Sequence, residues 1–191
     1  MKKSINLRLN RFPAVPYSLR DASTNLASPA IDIELANLFH HYYLDTFDCT
    51  PPSPDPAQFE AVQFLSRDHD FRFLGRGFGT STQARRNRSS ELGQAMCRMF
   101  LHDHLGIKYF AHISNFLPSN LPRALANYKV KKIRQGDAPD YLCARNEQEI
   151  FLAEAKGRYE SINFSGKAFD QWRQQFETVE ILDPSGIARA L

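Results

Sequence analysis

Two short segments, Pro139-Asp140 and Glu154-Ala155-Lys156, place two carboxylates and one amine within a brief stretch of a 191-residue chain. Between them lie two apolar runs, Tyr141 to Ala144 and Ile150 to Ala153, separated by the polar Arg145-Asn146-Glu147-Gln148-Glu149. This pattern predicts a hairpin of two buried strands with a polar turn. A turn centred near Glu147 pairs residues whose numbers sum to about 294, so Asp140 faces Glu154. Strand alternation puts Glu154 and Lys156 on one face. Facing acids repel unless a cation joins them, and hard oxygen ligands suit Mg²⁺, which keeps positions for water and phosphate. Such an ion polarises a phosphoryl oxygen and acidifies bound water, while a nearby lysine positions or deprotonates that water. The chemistry that fits is phosphodiester hydrolysis. A competing reading makes Asp140 a turn residue and leaves Glu154 and Lys156 as solvent-facing strand ends. Against it, Leu142, Ile150 and Leu152 share the face of the acids, and a charged trio at the end of a buried face needs a reason.

The elements that would position this group follow from periodicity. Ser89 or Ser90 can cap a helix with Leu92, Ala95, Met96, Met99 and Phe100 on one face, ended by Gly106. Ile107 to Ile113 alternates and predicts a strand. Pro118 and Pro122 flank a loop, with a short helix over Leu121 to Tyr128. After the hairpin, Lys167 to Val179 predicts a helix bearing Phe169, Trp172 and Phe176, then a strand over Val179 to Leu182. The order from Ser89 is helix, strand, strand, strand, helix, strand. Before it the pattern is less regular. The first 28 residues show no periodicity, Ile31 to Phe47 predicts a helix, and the proline-rich 50–56 stretch a loop. A short helix over Ala57 to Leu65 and a strand over Phe71 to Leu74 precede a loop containing Gly75, Gly77 and Gly79.

Gly136-Asp137-Ala138-Pro139-Asp140-Tyr141, followed by Phe151-Leu152-Ala153-Glu154-Ala155-Lys156-Gly157, resembles the signature of the PD-(D/E)xK nuclease superfamily. The resemblance covers a little over half of the chain. It implies an α/β fold with a restriction-endonuclease-like core, a central mixed sheet flanked by helices, over residues 86–191. Residues 1–85 would then be a mainly helical extension for target recognition or partner docking. It also implies Asp140 and Glu154 as metal ligands, the Ala155 carbonyl as a further ligand, and Lys156 as the catalytic lysine. The family often adds an acid from the first core helix, and Glu91 is the matching residue. An acid in a helix's first turn is also favoured by the helix dipole, so Glu91 carries two readings. Asp137 fits a turn role. Gln171, Gln174 and Gln175 follow the E-x-K segment without a Q-x-x-x-Y pattern, which gives no support to a resection-type exonuclease. Gln175 stays a site candidate beside the reading of a solvent-facing glutamine.

Composition sets outer bounds. With 42% hydrophobic and 24% charged residues the chain reads as a folded globular protein. It holds no apolar run long enough to span a membrane, and its basic start lacks the apolar stretch of a signal peptide. Cys49, Cys97 and Cys143 form neither a disulfide framework nor a zinc pattern, so a cytoplasmic location is expected. The net charge of +3 is small, but its distribution is uneven. Arg76, Arg85, Arg86 and Arg88 crowd one polar segment; Lys129, Lys131, Lys132 and Arg134 crowd another. These read either as solvated loops or, because both flank site elements in sequence, as phosphate contacts. Gly75-Arg76-Gly77-Phe78-Gly79 lacks the spacing of a nucleotide loop. The histidines have no cysteine partners at zinc spacing, and His102 and His104 point apart on a helix, so they read as surface or core residues.

The sequence thus leads to a DNA endonuclease using Mg²⁺, with Mn²⁺ able to substitute, and with a protein partner or homo-oligomer as a further expectation. A bacterial defence system or mobile element is the setting that family analogy suggests. The alternative is a catalytically silent nuclease-like subunit for nucleic-acid binding or assembly. A metal-dependent phosphatase is a third reading, disfavoured by the lack of His-rich metal spacing.

Overall fold

The computed structural model describes residues 1–75, 77–115, 117, 128–158 and 163–187. The chain folds into two compact units, Met1–Leu105 with Lys156–Tyr159, and Gly106–Ala155 with Glu160–Leu191. The sequence boundary at 85/86 and this boundary at 105/106 differ by most of one long helix. None of the described helices is long and apolar enough to cross a membrane.

In the first unit, β1 (Lys2–Asn6) pairs antiparallel with β2 (Ala30–Glu34), Lys3 opposite Ile33 and Ile5 opposite Ile31. Both strands differ from expectation. The Ile31-Asp32-Ile33 alternation is a strand signal, but Ile31, Leu35 and Leu38 also match helical spacing, and the helix α1 (Leu35–Phe47) starts only after the strand. Lys3 is 1% exposed, and its ammonium donates to the carbonyls of Ser66, at 2.6 Å, and Asp68. A buried charge is tolerable when held in this way. After a 3₁₀ turn at Pro56–Gln58 comes the short α2 (Glu60–Gln63), close to the helix expected there. The expected strand at Phe71 to Leu74 is reduced to an isolated bridge between Leu65 and Phe73.

The long helix α3 (Thr82–Leu105) begins seven residues before the cap read from the sequence. Ser81 Oγ accepts from the Ala84 amide at 3.1 Å, an N-terminal capping bond. The Gln, Ala and Arg residues that follow are good helix formers without an apolar stripe, which is why the first turns read as a polar loop. Gly106, with φ +67, ends the helix as expected. α1 and α3 pack on each other through Leu35, Leu38 and Phe39 against Ala95 and Met99, all buried.

In the second unit, β3 (Tyr109–His112), β5 (Tyr141–Ala144) and β6 (Ile150–Ala153) form one antiparallel sheet in the order β3-β5-β6. The hairpin register is Tyr141 opposite Ala153 and Leu142 opposite Leu152, the pairing expected from the sequence. Its turn is closed by Asn146 Oδ1, which accepts from the amides of Gln148 and Glu149, both at 2.9 Å. A further strand, β4 (Lys129–Lys132), pairs antiparallel with β7 (Val179–Leu182), across from Val130 to Ile181. Three lysines in four residues hid β4, since only Val130 is turned toward the core. The helix α4 (Lys167–Gln174) is shorter than expected and ends in a 3₁₀ turn, Gln175–Thr178. The two sheets share one core of Ile113, Tyr128, Leu142, Ala144, Ile150, Val179 and Ile181.

The protein is therefore mixed α/β, as expected, but its described strands form three small antiparallel sheets rather than one central mixed sheet. The expected helix over Leu121 to Tyr128 lies, apart from Tyr128, outside the described residues.

Candidate active site

The hairpin end in the second unit holds the two acids. β5 starts one residue after Asp140 and β6 ends one residue before Glu154. Glu154 Oε2 accepts from the Asp140 amide at 2.8 Å, and Asp140 Oδ2 accepts from the Ala155 amide at 2.8 Å. The two carboxylates are thereby fixed to opposite strands by reciprocal bonds, each using one oxygen. The Asp140 carbonyl accepts from the Ile113 amide at 2.9 Å, tying the residue to the β3 side as well. Pro139 before it is fully buried and supplies no amide of its own. Asp140 and Glu154 are half-buried, next to the fully buried Tyr141 and Leu142. An all-oxygen donor set is what a hard divalent cation takes, so the residue types fit Mg²⁺. Asp137 serves the neighbouring turn, where its carbonyl accepts from Thr178 Oγ1 at 3.1 Å.

β6 ends at Ala153, so strand alternation does not extend to Lys156. Lys156 follows Glu154 by two residues and belongs to the first unit. Its placement there is set by two glycines. A Cβ built on Gly157 would lie 1.6 Å from the Ser89 carbonyl oxygen, and one on Gly93 would lie 2.5 Å from Gly157 Cα. Only a backbone without side chains can approach α3 so closely. The contact holds Lys156 and Arg158 at a cavity of about 800 Å³, lined also by Arg85, Ser89, Phe73 and Phe78. Sequence reasoning missed this cavity. Its aromatic lining comes from a segment read as a strand and from the glycine loop, neither of which announced a shared wall.

Glu91 is not in a first helical turn, as expected from the sequence, but in the middle of α3. The dipole explanation for it therefore falls. Its Oε2 accepts from the Tyr42 hydroxyl at 3.3 Å, beside a smaller cavity lined by Tyr43, Phe59 and Arg88. Burial, and then the Glu91 charge, push the Tyr42 phenol up.

Six of the eight basic residues lie on regular elements, while Arg134 sits in a bend after β4. Arg85, Arg86 and Arg88 lie on α3, and Lys129, Lys131 and Lys132 on β4. Arg85 donates to the carbonyls of Gly79 and Thr80, Arg88 pairs with Glu60 at 2.8 Å, and Arg134 pairs with Glu177 at 2.7 Å. Arg86 and the three lysines are exposed. Arg76 lies outside the described residues. Gln171 and Gln174 are exposed, whereas the Gln175 side-chain oxygen is buried with no hydrogen-bond donor among the described residues.

Among the histidines, His104 meets Ser18 Oγ at 2.9 Å and His102 meets Asp103, pointing apart as helical geometry requires. His41 is 3% exposed. Burial first, then the charge of His102, hold its pKa down to about 4, with His40 and Arg98 acting the same way and Asp103 opposing. In the unfolded chain the group takes its proton near 6.5. The neutral form's contribution is thus complete above that value and is lost as pH falls toward 4. In chelator-treated protein this amounts to roughly 3 kcal/mol. Denaturant midpoints of the parent and His41→Gln across that window should converge as the pH drops. Parallel curves would refute the attribution. No family model, no curated protein and no solved structure matches this chain.

Proposed function

We propose that this protein is a metal-dependent nuclease that hydrolyses phosphodiester bonds of DNA. The observation that carries the reading is the reciprocal bonding of Asp140 and Glu154 at the end of one hairpin. Two carboxylates held side by side by backbone amides are costly to assemble, and a divalent cation offsets their repulsion. Asp140, Glu154 and the Ala155 carbonyl would hold Mg²⁺ or Mn²⁺. Bound there, the ion would supply Lewis acidity toward a phosphoryl oxygen and an acidified water. Lys156, two residues beyond Glu154 in the chain, would be the proton-handling group. Arg86 in the first unit and Lys129, Lys131 and Lys132 in the second, all exposed, are candidate cations for a phosphate backbone. Glu91 stands as a candidate further acid. The resemblance of the Pro139-Asp140 and Glu154-Ala155-Lys156 segments to the PD-(D/E)xK signature supports the same reading, together with a restriction-endonuclease-like core and a bacterial defence or mobile-element setting.

A specific observation favours a second reading, a nuclease-like subunit that binds nucleic acid without cutting. Both carboxylates already serve to close the hairpin, which is a structural task. One experiment separates the two. Supercoiled plasmid, linear duplex, single-stranded DNA and RNA are incubated with the protein in Mg²⁺, Mn²⁺ or chelator, and binding is followed in parallel. Metal-dependent nicking supports the nuclease; retention of nucleic acid without product in any metal supports the silent subunit.

A further inference from the structure

We propose that His41, His102 and Asp103 form a Zn²⁺ site that clamps α1 to the C-terminal end of α3 within the first unit. Each of the three offers a ligand atom, and these atoms all lie within 4.8 Å of one another. The two imidazole rings are 5.0 Å apart between centroids. Among the described residues neither ring nitrogen of His41 has a hydrogen-bond partner, although the side chain is almost wholly enclosed. A buried imidazole with an unanswered donor and acceptor is unfavourable, and such groups in folded proteins usually have a partner. A metal answers one of these nitrogens directly.

The chemistry of the surroundings selects the ion. His102 Nδ1 meets Asp103 Oδ1 at 2.9 Å, and Asn37 Nδ2 donates to Asp103 Oδ2 at 2.6 Å. The Asn37 bond braces the Asp103 carboxylate beside the His102 imidazole. Two imidazoles and one carboxylate suit Zn²⁺, whereas Mg²⁺ prefers oxygen ligands throughout. Tetrahedral bonds near 2.0–2.1 Å place ligand atoms about 3.3 Å apart, so the cluster must contract slightly. His102 and Asp103, with side chains 50% and 34% exposed, have the freedom to do so. Arg98 is the opposing charge nearby, and it faces Asp45 at 3.8 Å. The fourth position would go to water.

The sequence hid the site because its ligands come from two helices far apart in the chain, with no spacing motif joining them. The inference does not depend on the nuclease reading, whose metal ligands are different residues.

The test uses the full chain, stripped of metal and titrated with Zn²⁺ by calorimetry and with Co²⁺ by visible absorption. With excess Mg²⁺ present to occupy oxygen-only sites, one equivalent should bind, raise the thermal midpoint by linkage, and give a tetrahedral Co²⁺ spectrum without a thiolate charge-transfer band. His102→Ala, at an exposed position, should keep the parent far-UV spectrum and weaken Zn²⁺ binding by at least about 10-fold. Cys49→Ser should bind as the parent does. No saturable binding by the parent, undiminished binding by His102→Ala, or loss of binding in Cys49→Ser would overturn the assignment.

Discussion

Asp140→Asn should keep the fold and lose metal-dependent cleavage of plasmid DNA. The asparagine carbonyl can still accept from the Ala155 amide, which Asp140 Oδ2 does now at 2.8 Å, so the hairpin end keeps its bond. What disappears is a formal charge, and with it the pull on a divalent ion. Lys156→Ala removes the amine two residues beyond Glu154 without touching either carboxylate. Loss of a positioned proton-transfer group costs on the order of 10²–10⁴-fold in rate, and loss of a charge-stabilising group about the same. Both variants should therefore fall below about one hundredth of the parent rate in Mg²⁺, with unchanged far-UV spectra and denaturant midpoints. Rates measured on supercoiled plasmid at saturating metal make the comparison. If both variants nick as fast as the parent, these residues are not the cutting site.

Gly157→Ala should damage both stability and activity. The added Cβ would sit 1.6 Å from the Ser89 carbonyl oxygen and 2.5 Å from its carbon, both backbone atoms that cannot swing aside. Either α3 bends or the segment carrying Lys156 and Arg158 lifts away from it. Overpacking of a rigid contact costs about 1–3 kcal/mol and occasionally more. The activity effect should exceed the stability effect, because Lys156 is the adjacent residue and a displacement of about 1 Å can cost 100-fold in rate. Gly93→Ala, which meets Gly157 Cα at 2.5 Å from the other side, should behave similarly. Urea midpoints and single-turnover cleavage of the two variants provide the check. A Gly157→Ala protein with the parent midpoint would show that the two backbones do not touch in solution.

The hairpin was legible in the sequence to the residue. Its apolar runs are short and bounded by polar residues, so pattern alone set both strands and their register. Gly106 likewise marked the end of α3 because a left-handed residue there demands it. The misplaced elements share a different cause. The first turns of α3, from Thr82 to Arg88, have helical propensity but no apolar face, and β4 has one inward side chain among three lysines. Hydrophobic periodicity cannot see an element that buries so little. β2 failed in the opposite way, since Ile31 and Ile33 satisfy alternation while Ile31, Leu35 and Leu38 satisfy helical spacing. For the candidate site, the pairing of Asp140 with Glu154 followed from register, but the docking of Gly157 on Gly93 did not. Two glycines 64 positions apart carry no pattern that marks them as neighbours.

β5 has a consequence of its own. All four residues from Tyr141 to Ala144 are buried, and the strand has partners on both sides, β3 and β6. Its amides have neither an open edge nor contact with solvent, so deuterium reaches them only when the whole second unit comes apart. The peptide that begins just after Asp140 should thus be the slowest clock in that unit, recording each complete opening and ignoring the fraying of the strands around it.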